Sequence, residues 1–388
     1  MPAFTASLAG GANNRAPDNR IPEGQARSIV NAVARADGSL SLAPGSAQVM
    51  AGRILGAIPF GRKIALATTS ALILYDTETG ESEQLVQLAR HSGLAGAELN
   101  GSLYLRAGAE AFRITPELTL QPWHIKPPRF TVSASSGLLP AGRYAVACTA
   151  LVGGIESAPS EAKFIDLPDG GGISIAASGT TAQVYISKAN GQSLYFQRKV
   201  SPVATGLIDS VRDDTAPMRF AGFTAPPAGH TICAVGSQLA IASGRFVYLT
   251  APQMPHLHDP VSGWLAYPAP ITGMASDGGT LYVNADKLYA VTGLDTTEPA
   301  QSVVLERPAV PGSLVAMIDG GVCALTDRGP LIGQGETTLP ARDSFAVRGV
   351  AKGAGVQLDA DGDRLLLFTR RGQQTTNRLQ AISARGDE

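Results

Sequence analysis

Side chains that carry chemistry are sparse in this chain of 388 residues, which has five histidines, three cysteines and two tryptophans. Charge is sparse as well: Asp, Glu, Lys and Arg make up 16 %, and 31 basic residues almost cancel 32 acidic ones. So even a balance provides no electrostatic footprint for gripping nucleic acid or an anionic membrane surface. Aromatic residues amount to 6 %, and no basic run is interleaved with rings on which bases could stack. Cys148, Cys233 and Cys323 are far apart and form no C-x-x-C pair, which argues against structural zinc and against a disulfide framework. Their apolar, strand-like settings ("YAVACTALV", "HTICAVGS", "GGVCALTD") predict buried free thiols, suited to assembly in a reducing cytoplasm. No apolar run approaches the roughly 18 residues of a membrane helix. The opening "MPAFTASLAGGANNR" lacks the basic start and apolar core of a secretory signal, so a soluble product without membrane binding is expected.

What the chain has instead is turns. There are 44 glycines and 26 prolines, yet 44 % of residues are apolar, enough to bury a core. Short apolar runs alternate with Gly, Asn or Asp turns, and helical periodicity is scarce. Residues 53 to 88 predict four strands, with "FGRK", "TTS" and "TETGES" as turns. That is the rhythm of a propeller blade. It recurs at 95–122, in "HTICAVGSQLAIASGRFVYLTAP", in "ITGMASDGGTLYVNADKLYAVTG", in "GSLVAMIDGGVCALTDRGPLIGQG" and in "GVQLDADGDRLLLFTRRG". The prediction is an all-β chain, a β-propeller of five or six irregular blades, with the N-terminal region completing one. Residues 128–222 break the rhythm between the proline-bearing segments "HIKPPRF" and "FTAPPAGH". Strands are predicted at 143–152, 162–167, 173–176, 182–188 and 194–200, as a small antiparallel sandwich of fibronectin type III kind inserted in a propeller loop. The expected division is therefore 1–127 for the N-terminal segment and first blades, 128–222 for the sandwich and 223–388 for the remaining blades.

No motif calls for an enzyme, a metal or a cofactor. His256, His258 and Asp259 in "MPHLHDPVSG" form the one histidine cluster, but no third segment completes a metal site; the flanking prolines predict a surface loop beside Trp264. In "DADGD", counting from Asp359, a calcium loop would need glycine and glutamate where Arg364 and Arg370 stand. Asp361-Gly362 is read instead as a hairpin turn. There is no G-x-S-x-G elbow and no phosphate loop in "GGANN", and the Asp213-Asp214 pair falls in a turn-rich linker.

The segment "GGANNRAPDNRIPEGQARSIVNAVARADGSLSLAPG" resembles the N-terminal signature of a group of bacteriophage tail proteins, the tail nozzle or tail hub proteins of short-tailed phages. The matching positions are Gly11, Asn13, Asn14, Ile21, Pro22, Gly24, Val30, Asn31, Gly38, Leu40, Pro44 and Gly45. Ala12 and Ala43 depart from the pattern, the latter standing where an arginine is usual, so no contact of that arginine carries over. "LHDPVSGWLAYPAPITGMASDGGTLYVNADKLYAVTG" is similar to a late blade of the same group, and "LPAGRY" with "GGIESAPS" to its inserted domain. The resemblance implies a structural virion protein of the phage tail, assembled in the host cytoplasm as a homo-oligomeric ring, usually a hexamer. Its expected partners are the adaptor and portal-side rings and tail fibres or a tail needle, with double-stranded DNA passing through on ejection. Asn13, Asn14, Ile21, Pro22, Ile29, Val30 and Asn31 form the candidate contact segment, either an arm on a neighbouring subunit or the strand that closes this subunit's own propeller. Two other readings stand beside it: a carbohydrate- or receptor-binding propeller of a phage or bacterium, and a bacterial scaffold for protein contacts.

Overall fold

The computed structural model describes residues 16–23, 25–26, 32–34, 39–42, 53–202, 204–296, 298–317, 321–327, 329–334, 336–338, 352–360, 363–371 and 379–383. Among these, the sole helical turn is a 3-10 turn at Asp18–Arg20; all other regular structure is β-strand. Outside residues 129–208 the chain forms antiparallel sheets whose strands pair in sequence order, which is the topology of propeller blades.

Blade 1 comprises Gly56–Phe60, Lys63–Ala67, Ala71–Asp76 and Ser82–Gln87; blade 2 comprises Ala95–Leu99, Ser102–Ala107, Glu110–Ile114 and Leu120–Pro122. Blade 3 comprises Thr231–Val235, Gln238–Ser243 and Phe246–Ala251, with its outer strand split into Met254–His258 and Trp264–Ala266. Gly273–Asp277, Thr280–Asn284, Leu288–Thr292 and Ala300–Leu305 make blade 4. Val315–Ala316, Val322–Thr326, Gly329–Gln334 and Glu336–Thr338 make blade 5. A last sheet of Lys352–Ala360, Asp363–Arg371 and Leu379–Ser383 follows, its first strand beside Val322–Thr326 of blade 5.

Tight turns set these registers. Leu99 pairs with Ser102, leaving Asn100 (φ 51°) and Gly101 (φ 72°) as a two-residue connection with both residues in the left-handed region. Asn-Gly is the pair that meets this demand, and its twist matches that of the flanking strands. The first strands of consecutive blades lie side by side around the axis: Gly56–Phe60, Ala95–Leu99, Thr231–Val235, Gly273–Asp277 and Val315–Ala316. Space is short there, and "AGAEL" and "GMASD" supply small side chains.

The core lies between blades. Phe60, Ala65 and Leu72 of blade 1 pack on Leu103, Leu105 and Ile114 of blade 2, while Leu99 and Tyr104 of blade 2 meet Ile232, Leu239 and Ile241 of blade 3. Val247 and Leu249 of blade 3 face Leu281, Val283 and Tyr289 of blade 4, whose Tyr282 and Leu288 face Val322 and Leu331 of blade 5. Both faces of a central strand are thereby covered, and Ser102–Ala107 is buried at every position. This explains the continuous apolar runs that replace in–out alternation.

The chain leaves this ring after blade 2 and returns to blade 3, yet Ala95–Leu99 and Thr231–Val235 remain neighbours. The excursion is an antiparallel sandwich of fibronectin type III kind. One sheet orders Arg129–Leu139, Gly171–Ser178 and Thr205–Ile208; the other orders Ile155–Glu156, Gly142–Val152, Ala182–Ser187 and Leu194–Val200, with Lys163–Leu167 paired to Gly142–Val152. Its core holds Phe130, Tyr144, Val146, Cys148, Ile173, Ile175, Val184 and Ile186. Arg129–Leu139, Ile155–Glu156 and Thr205–Ile208 are not among the predicted strands: the first carries Ser133, Ser135, Ser136 and Gly137 after a Pro-Pro pair, and the other two are short.

At the other end of the chain, Ala32–Ala34 pairs with Leu40–Leu42 and lies beside Leu379–Ser383 of the last sheet. Ala360 pairs with Asp363; Asp361 and Gly362, read from the sequence as a hairpin turn, lie outside the described residues.

Asn284 ties blade 4 to the approach of blade 5. Fully buried, it donates from Nδ2 to Thr272 Oγ1 (2.7 Å) and Ala309 O (3.0 Å) and accepts Ala309 N–H at Oδ1 (2.7 Å). Asn284→Leu orphans both backbone groups of Ala309 and is expected to lower stability by about 3 kcal/mol, read as a shifted urea midpoint.

Candidate functional site at the junction of propeller and sandwich

Two of the candidate contact residues are described: Ile21, half-buried, and Pro22, exposed, follow the Asp18–Arg20 turn, and Pro22 O accepts from Gln25 N–H (3.1 Å). Asn13, Asn14, Ile29, Val30 and Asn31 lie outside the described residues. A separate cluster of polar side chains, with Arg106, His124 and His256, sits where blade 2, blade 3 and the sandwich meet.

The "MPHLHDP" segment is a strand, not the surface loop expected from its prolines. Met254–His258 is part of blade 3's outer edge, and Pro255 and Leu257 are buried. His258 Nδ1 bonds Leu249 O (2.9 Å) and His256 Nε2 donates to Glu156 O of the sandwich (3.0 Å), so the two rings have separate structural partners. Among the described residues no group of His, Cys, Asp and Glu has the arrangement of a metal site. The remaining histidines are engaged likewise: His91 with Gly93 O and Thr68 O, His230 with Ile271 O, and His124 with Arg106. Cys148 and Cys323 are fully buried, and burial pushes both thiols up to about 12, far from nucleophilic range. Asp213 and Asp214 are taken up by ion pairs with Lys188 and Arg212.

The sandwich is fastened to blade 3 by three devices. Glu156, in "GGIESAPS", gives its backbone carbonyl to His256, while its carboxylate accepts from Thr149 Oγ1 and Tyr185 OH (2.7 Å). Ala158 packs with Ala251 and Leu257, sealed by Phe220, Phe223 and Met254. A returning strap bonds both bodies in turn: Phe196 N–H to Ala216 O (3.0 Å) and Met218 N–H to Leu194 O (2.8 Å), then the Thr224–His258 pair (2.9 and 2.8 Å). Hydrogen bonds on two sides of an apolar seal hold the sandwich as a fixed projection.

On the blade 2 side, Trp123 is buried, donates Nε1–H to Pro255 O (2.8 Å) and stacks on His124 with ring centroids 5.0 Å apart. Arg106, 6 % exposed, donates from Nη2 to His124 Nε2 (2.7 Å) and to Pro226 O of the return linker (3.4 Å). Burial foremost, then the Arg106 charge and His256, holds the His124 imidazole down at about 4. His256 is lowered chiefly by burial. Trp123 and His124 fall just before the expected boundary at residue 128 but carry no motif, and Arg106 stands in "SLYLRAGAE" like any strand residue with its head in solvent.

Trp123→Phe removes the bond to Pro255 O while keeping most of the packing. It is expected to lower stability by about 1–2 kcal/mol in urea unfolding without changing the fold by far-UV dichroism.

No family model and no curated protein matches this chain. Among solved structures, it is similar to the WD40 domain of Neurospora crassa Pan2, with 8 % identity and TM-score 0.34 over 81 % of this chain and 86 % of that one. Kluyveromyces lactis Hsv2 is 6 % identical with TM-score 0.34 over 86 % of this chain and 98 % of Hsv2. PorZ, a surface component of the type-IX secretion system of Porphyromonas gingivalis, is 12 % identical with TM-score 0.24 over 86 % of this chain, which spans 45 % of PorZ. At these values the likenesses carry nothing about activity or partners, and the propeller rests on the order of the sheets themselves.

Proposed function

We propose that the chain is a structural ring subunit of the tail nozzle or hub kind, assembling through its propeller into a homo-oligomer, a hexamer in this reading, in the tail of a short-tailed phage. The observation that carries the reading is the fixed projection: a sandwich inserted between two adjacent blades and locked by Glu156, His256 and the Thr224–His258 pair. A platform for neighbouring subunits or fibres needs such rigidity, because a swinging domain would lose orientational entropy at every contact. The signature at Gly11–Gly45 supports the same reading, and near-zero net charge suits a conduit that DNA must slide through rather than bind. A closed ring uses heterologous contacts, two different faces on each subunit.

One observation favours a second reading, glycan binding. Trp264 is 44 % exposed on blade 3's outer edge, edge-on to Phe246 with centroids 5.9 Å apart, and Arg245 lies over the Phe246 ring. Beside it, Asp259 holds a turn through Val261 N–H and Ser262 Oγ that presents Val261 at 83 % exposure. An exposed indole is a platform on which the apolar face of a pyranose can stack.

Native mass spectrometry and negative-stain microscopy of the purified protein are expected to give closed six-fold rings. A stable monomer that binds glycans on an array, and loses them on Trp264→Ala, overturns the ring reading in favour of the second.

A further inference from the structure

Among the described residues, Arg106 is a buried cation without an anion. Burial alone disfavours its charge, with no carboxylate in opposition, and its Nε has no partner. A guanidinium keeps its proton at ordinary pH. Since Arg106 Nη2 donates to His124 Nε2, that nitrogen accepts and the imidazole is neutral, with its proton on Nδ1, which is buried without a partner. The other charged or titratable groups around the pair add no negative charge to it. His256 approaches from the outer strand of blade 3, and Arg113 of the Glu110–Ile114 strand bonds Ser102 Oγ and lies beside Tyr104. The Glu156 carboxylate is satisfied within the sandwich by Thr149 and Tyr185.

These groups stand at the roots of the inserted domain. His124 begins the segment leaving blade 2, and Pro226, whose carbonyl Arg106 also holds, belongs to the segment returning to blade 3. We propose that Arg106 and His124 form an acid-released latch that clamps both linkers of the sandwich to blade 2 while His124 is neutral and lets them go when it is protonated. The incoming proton occupies the Nε2 lone pair that now accepts from Arg106, so the bond is lost and two cations face each other in its place. The latch acts within one subunit and does not depend on ring formation.

The direction follows from linkage. An imidazole whose folded value, about 4, lies below its ordinary 6.5 stabilises the closed state fully above pH 6.5. That stabilisation is lost as pH falls from 6.5 towards 4, because the open state takes up the proton first. Each pH unit in this window raises the opening equilibrium up to about tenfold.

The test is hydrogen–deuterium exchange of the full chain from pH 7.5 to 4.5, corrected for intrinsic exchange, read over residues 123–128 and 224–230. The latch predicts opening that steepens below pH 6.5 in both segments together. His124→Gln retains an acceptor for Arg106 without titrating and should flatten the response; an unchanged pH response in that variant overturns the proposal. Should His124→Gln fail to fold, the imidazole resonances of the native protein decide. Titration of His124 near pH 4 supports the latch, and titration between 6 and 7 overturns it.

Discussion

The packing of each blade sheet against the next buries both faces of its central strands, and the rest of the propeller is arranged around that contact. Because the two faces of Ser102–Ala107 serve different neighbours, Leu103 and Leu105 go to blade 1 while Tyr104 goes to blade 3. A charged residue in such a strand is desolvated whichever way it points. Buried polar groups are therefore few and bonded across blades, as Asn284 is to Ala309. The same contact explains how the fold tolerates an excursion of about a hundred residues. Blades 2 and 3 adhere through Leu99, Tyr104, Ile232 and Ile241 near the axis, so the covalent connection between their outer regions is free to lengthen at small entropic cost.

The inserted sandwich is then secured by interactions of another kind. Its own core is complete without the propeller, with Tyr144, Cys148, Ile175 and Val184 inside. What joins it to blade 3 is a small apolar seal, one backbone pair and the His256–Glu156 bond. The strap at 216–224 makes one isolated antiparallel bridge to each body, Pro217 opposite Tyr195 and Thr224 opposite His258. On the blade 2 side the contact is polar and imperfect, with Arg106 Nε and His124 Nδ1 left without partners. The junction thus joins a firm side to a side whose stability depends on protonation.

Much of this was legible because turn chemistry and apolar runs are local. The four strands of blade 1 fall where "FGRK", "TTS" and "TETGES" separate apolar runs, and most sandwich strands lie within a residue or two of their predicted bounds. The failures have local causes too. Prolines around His256 suggested a loop, but an outermost strand accepts Pro255 since its outward N–H has no ladder partner to lose. Arg129–Leu139 hid behind Ser and Gly, whose strand character comes only from pairing with Gly171–Ser178.

Composition and turn spacing by themselves determined an all-β chain of repeated four-strand units, an interruption near residue 128, free thiols buried at Cys148 and Cys323 though only half-buried at Cys233, and a balanced charge. Only tertiary structure decided that His256 meets Glu156, that the 216–224 strap bonds both domains and that Arg106 lies against His124. The reason is separation along the chain. Turn and pairing signals act over a few residues, whereas these contacts join segments 18 to 100 residues apart, brought together only when the sheets pack.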